Sequence, residues 1–96
     1  MRKAARIDAN QSAIVTQLRQ AGATVQMLTV MGGGVPDLLV GYRSVNHLIE
    51  VKNPLKSPSG RSLTPDQVTW HDLWRGSVSV VETPQQALAV IGCHIE

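Results

Sequence analysis

Two stretches decide how this chain is read: Val35-Pro36-Asp37-Leu38-Leu39-Val40-Gly41-Tyr42 and His47-Leu48-Ile49-Glu50-Val51-Lys52. Both are rich in β-branched and apolar residues and read as strands. Pro36 sits at the start of the first, where a residue without a backbone N–H is tolerated. Arg43 to Asn46 forms a short polar connection, so the pair predicts a β-hairpin. Side chains alternate along a strand. Glu50 and Lys52 therefore share one face, while Ile49 and Val51 point the other way, into a core. Asp37 opens the neighbouring strand thirteen positions before Glu50. In a hairpin that register can bring the two carboxylates together beside the Lys52 ammonium.

Such a patch has a chemical use. Two carboxylates plus a backbone carbonyl make half of an octahedral Mg²⁺ shell, with water supplying the rest. Like charges held close are costly unless a cation lies between them. A divalent ion lowers the pKa of water and stabilises charge on a phosphate, and an adjacent lysine neutralises charge as it develops. The plainer alternative is a strand-opening Asp with an exposed Glu/Lys surface. Spacing alone leaves both open.

Outward from the hairpin, Ile14, Val15 and Leu18 recur at helical spacing, and Ala21 extends the stripe. Asp8 or Asn10 can cap this first helix, and Gly22 ends it. Residues 24–30, Thr-Val-Gln-Met-Leu-Thr-Val, read as a strand that Gly32-Gly33-Gly34 breaks. Residues 53–63 carry two prolines, a glycine and three serines, and read as a mobile loop. Thr64-Pro65-Asp66-Gln67 is a helix start: Thr as N-cap, Pro at the first position, and Gln completing a capping box. That helix runs to about Arg75, before Gly76. Val78 to Val81 is a strand. Thr83-Pro84-Gln85-Gln86 repeats the start signal for a last helix that reaches Ile91. The order is α-β-β-β-α-β-α in a single domain, residues 1–96, with residues 1–7 as a flexible arm.

The 96 residues leave no room for a second domain. A 43% hydrophobic content and a net charge of +2 exclude a disordered chain. No apolar run is long enough to span a membrane, and no secretory leader follows the basic start. A lone Cys93 excludes a disulfide framework and a Cys-rich zinc site. The chain reads as a small cytoplasmic α/β domain with no membrane partner and no organic cofactor. Its basic side chains permit nucleic-acid binding without demanding it.

The stretch Gly34 to Gly41, followed by Leu48-Ile49-Glu50-Val51-Lys52, resembles the PD-(D/E)xK nuclease signature. The sequel Leu63-Thr64-Pro65-Asp66-Gln67-Val68-Thr69-Trp70-His71 narrows the resemblance to the VRR-NUC group. It is most similar to the small stand-alone members common in phages and prophages, from about Asp8 to Ile91. The resemblance implies a restriction-endonuclease-like α/β core, a mixed central sheet flanked by helices. It implies that Asp37 and Glu50 bind Mg²⁺ or Mn²⁺ with the Val51 backbone carbonyl, that Lys52 is the catalytic lysine, and that Gln67 holds water or phosphate. One side-chain rotamer of Gln67 is not expected to serve both that role and the capping box. Many relatives carry an acid on the first helix. Here the stretch is Asp8-Ala9-Asn10-Gln11-Ser12, and Gln11 would place an amide there. The implied activity is metal-dependent DNA endonuclease chemistry, with a homodimer cutting four-way (Holliday) junctions. A flap or nicking nuclease and a non-catalytic DNA-binding module are the alternatives.

Other residues carry weaker signals. Arg43, Lys56, Arg61 and Arg75 are candidate phosphate contacts, which would position DNA without reading its sequence. Gly32-Gly33-Gly34 lacks the features of a phosphate loop and reads as a turn or a flexible entry beside the site. His71 lies four after Gln67 and can face the same side. His47 and His94 have no evident partners. Trp70 and Trp74 share a helix face suited to a core or a subunit interface.

Overall fold

The computed structural model describes residues 8–93. The expected arm at residues 1–7 and His94 lie outside the described residues.

The elements follow the expected order with one addition. Helix α1 is Ala9–Gln20, strand β1 is Thr24–Met27, and β2 and β3 are Leu38–Tyr42 and Val45–Val51. A one-turn helix α2, Pro58–Arg61, falls inside the stretch read as a loop. Ser57 caps it through Gly60 N–H, with Pro58 in the first turn. This is the Ser/Thr-Pro start seen twice elsewhere in the chain. Helix α3 is Pro65–Leu73, β4 is Val78–Val81, and α4 is Pro84–Val90.

The four strands lie in the order β1-β2-β3-β4. β1/β2 and β2/β3 are antiparallel, and β3/β4 is parallel. The mixed sheet flanked by helices is the α/β arrangement that the sequence predicts. Element ends differ. β1 stops at Met27 because Thr29–Met31 curl into a 3₁₀ turn. The hairpin turn is only Arg43-Ser44, both with positive φ (50° and 65°). That is the handedness matching the sheet's twist, so β3 starts at Val45, two residues earlier than expected.

One face of the sheet carries the core. Ile14, Val15 and Leu18 of α1 and Ala87 and Leu88 of α4 pack there against Leu38, Val40, Ile49, Val51 and Val81. Gln11 extends the α1 stripe by one turn and is also buried. Its spacing from Ile14 points it along the same face. Asp8 occupies the N-cap position of α1, but its side chain makes no cap bond and instead lies 3.9 Å from Lys56. Asn10 is not a cap either. Its amide donates to the carbonyls of Lys52 (2.8 Å) and Glu82 (3.2 Å), tying α1 to the ends of β3 and β4.

The other face is only partly covered. α3 buries none of its residues fully. Its Trp70 and Trp74 stack at 4.7 Å beside an apolar groove of about 640 Å³ that also includes Met31, Leu39 and Leu48. The N-terminal end of α3 is seated differently. Gly34 has φ +85°, and a Cβ there would lie 2.3 Å from the Asp66 carbonyl oxygen. Backbone meets backbone, and only glycine fits.

Gly34→Ala should therefore lower stability by more than about 2 kcal/mol, roughly 8 °C or more in Tm for a domain this size. Gly33 shares the positive φ but has open space around it. Gly33→Ala should cost only about 1–2 kcal/mol of backbone strain. Thermal unfolding of the two variants separates the contact from the strain; equal losses would rule out the contact.

Candidate active site

Extending the β2/β3 register by one pair beyond Leu38↔Ile49 sets Asp37 opposite Glu50. The ladder ends there, and the Asp37 carboxylate continues it. Its Oδ2 accepts the Val51 N–H at 2.8 Å. Its Oδ1 accepts the Thr29 hydroxyl at 3.2 Å, and Thr29 Oγ1 in turn accepts from the Gln11 amide at 3.0 Å. Both Asp37 oxygens are thus held in place. In a strand, the N–H and C=O of one residue face the same neighbour. The Val51 carbonyl therefore points toward the Asp37 side.

Glu50 is 1% exposed. Its pKa is pushed up to about 9. Burial is the main cause. The neighbouring Asp37 carboxylate adds to it, and the charge of Lys52 opposes it. Without a cation, Glu50 therefore keeps its proton through neutral pH. Glu50 Oε2 accepts from Gln67 Nε2 at 3.2 Å, while Oε1 is buried with no hydrogen-bond partner among the described residues.

Gln67 links the rest. Its Oε1 accepts from Lys52 Nζ at 2.7 Å and from Thr64 N–H at 2.9 Å, and its own N–H donates to Thr64 Oγ1. Both donors to Oε1 have no acceptor function, so they fix which way the amide faces. The expected conflict between capping and site duty does not arise. An amide oxygen has two lone pairs, and the NH₂ remains free for Glu50.

These groups surround a cavity of about 140 Å³, lined among others by Asp8, Gln11, Asp37, Glu50, Lys52, Lys56 and Gln67. The expected site residues Gln11, Asp37, Glu50, Val51, Lys52 and Gln67 are brought together, with Lys56 at the wall. Arg43, Arg61 and Arg75 are not among the lining residues. Arg43 lies at the far end of the hairpin, about 20 Å away at 3.3 Å per residue, over the Tyr42 ring. Arg61 closes α2, and Arg75 follows α3 on the surface. Thr29 and Asn10 were missed as site supports. Each acts on a residue distant in sequence, and no local pattern announces such a bond.

The donor set suits a hard divalent cation. Two carboxylates and a carbonyl offer oxygen alone, the buried Glu50 Oε1 has no donor among the described residues, and a cation would offset the like charges of Asp37 and Glu50. Among the described residues, no group of three or more His, Cys, Asp or Glu residues is placed to hold a metal ion. Such a set favours Mg²⁺ or Mn²⁺ over zinc.

No family model matches the sequence, nor does any curated protein. Among solved structures, a chain described as a VRR-NUC domain aligns with 28% identity and a TM-score of 0.62, over 88% of this chain and 92% of that one.

Between pH 4.5 and about 9 the folded protein keeps the Glu50 proton that the unfolded chain has lost. Stability due to this group is full below that window and falls as pH rises through it. Glu50→Gln removes the ionisation. Its Tm advantage over the wild-type protein should grow between about pH 5 and pH 8, to at least about 4 °C, or about 1 kcal/mol. A Tm difference that stays constant across this range would contradict the raised pKa.

Proposed function

Starting from a VRR-NUC nuclease fold, we propose that this chain is a divalent-metal-dependent endonuclease that hydrolyses DNA phosphodiesters. One observation carries the reading: Asp37, Glu50, Lys52 and Gln67, from the ends of two strands and a helix, converge on one cavity, where a single amide joins Glu50 to Lys52.

Asp37, Glu50 and the Val51 carbonyl would hold Mg²⁺ or Mn²⁺. When bound, the ion supplies a Lewis acid that lowers the pKa of water and neutralises charge on the phosphate. The chain's own groups do the rest. Asp37, fixed through both oxygens, holds its place with little reorganisation. Lys52 presents a buried ammonium to the charge that develops as water attacks phosphorus in line and the opposite P–O bond breaks. Gln67 keeps that ammonium beside Glu50. Gln11 contributes an amide where an acid would add charge, which supports a site built around one strongly held ion. Lys56, at the cavity wall, is placed to meet a neighbouring phosphate. Arg43, Arg61 and Arg75 lie farther out, where only an extended or branched DNA would reach them together.

The partly uncovered apolar face supports self-association, since a contiguous exposed patch on so small a domain marks an interaction surface. A two-fold dimer would present two sites for paired cuts in a four-way junction.

The test is cleavage of a labelled four-way junction, a flap and a plain duplex with Mg²⁺ and with Mn²⁺. Symmetric junction cuts are expected, reduced at least about a hundredfold by Lys52→Ala. Cuts confined to the flap or to a nick would keep the chemistry and change the substrate. Binding without cutting would leave a non-catalytic DNA-binding domain. Sedimentation at micromolar concentration should show a dimer that Trp74→Glu, on the exposed apolar face, converts to monomer; a wild-type monomer would refute paired cutting.

A further inference from the structure

With a cation bound, Glu50 is an ionised carboxylate, which only accepts hydrogen bonds, and both of its buried oxygens then need donors. Gln67 serves Glu50 Oε2. Among the described residues Glu50 Oε1 and His71 Nε2 are both buried without a hydrogen-bond partner, and they lie 3.9 Å apart. Orphaned buried polar atoms are few in folded proteins. Here two complementary ones face each other, short of bonding distance by under about 1 Å. The terminal torsion of a glutamate is soft enough to close that gap.

Helix geometry makes the pairing more than chance. Gln67 and His71 are four residues apart on α3 and project from the same face, one above the other. One helix thereby offers two donors to the two oxygens of one carboxylate. Trp70 packs edge-on against the imidazole, with ring centroids 6.2 Å apart and planes at 75°, which restrains the ring.

We propose that His71 is a positioning residue: its Nε2–H takes Glu50 Oε1 and, with Gln67, fixes the plane of the carboxylate so that its remaining lone pairs face Asp37. This rests on the reading of Asp37 and Glu50 as metal ligands. Partners of this kind hold ligating carboxylates in many metal sites, and their loss typically weakens metal binding ten- to a hundredfold.

The experiment is calorimetric titration of the intact protein with Mn²⁺, alongside thermal unfolding. His71→Ala should weaken Mn²⁺ binding about tenfold or more. His71→Gln, whose amide can donate from a similar position, should recover most of the loss. If His71→Ala does not fold, His71→Phe fills the space without a donor and makes the same comparison with His71→Gln. A packing role alone would lower Tm in these variants and leave the Kd of the folded protein at the wild-type value; that result overturns the proposal. Asp37→Ala is the reference. If the wild-type protein binds no Mn²⁺, or binds it no better than Asp37→Ala, the metal reading itself fails and the role of His71 falls with it.

Discussion

The structure turns on the side-chain amide of Gln67. Its oxygen accepts from the helix start at Thr64 and from the Lys52 ammonium, and its nitrogen donates to Glu50. Through those bonds α3 gains its N-terminal cap, Lys52 is held in a fixed place, and one oxygen of Glu50 is satisfied. A buried lysine and a buried glutamate two residues apart would otherwise be a costly pair to desolvate. The amide lets them share one neighbour. It couples the docking of a helix to the placement of two charged groups.

The rest of the scaffold brings that amide and the strands into register. The antiparallel pairing ends at Leu38↔Ile49, and the Asp37 side chain carries the ladder one bond further by accepting the Val51 N–H. On the far side, Asn10 pins the Lys52 and Glu82 carbonyls, so the ends of β3 and β4 cannot splay. Burial of Ile49 and Val51 in the core forces Glu50 and Lys52 onto the opposite face, because side chains alternate. The apolar pattern of β3 and the polarity of its other face are thus one constraint.

Much of this is legible in the linear chain. Alternation in residues 47–52 sets the faces, the Thr-Pro-x-Gln starts mark α3 and α4, and the apolar stripe marks α1. The parts that were misread depend on contacts that no local pattern encodes. Arg43-Ser44 forms a left-handed turn without the usual Asn-Gly. Asp8 leaves its capping bond unmade and faces Lys56. Asn10 serves two strand ends rather than its own helix. Thr29, read as a strand residue, sits in a tight turn that delivers its hydroxyl to Asp37. The supposed choice for Gln67 failed because the number of lone pairs and protons on an amide, and not the rotamer alone, sets how many partners it serves.

α3 buries no residue completely, and its hold on the sheet is concentrated at polar bonds and at the Gly34 contact. The segment that completes the constellation therefore has little apolar anchoring. Few buried apolar contacts make a helix easier to open than the elements of the core, here the sheet, α1 and α4. Such an opening carries Gln67 away from both Glu50 and Lys52 at once.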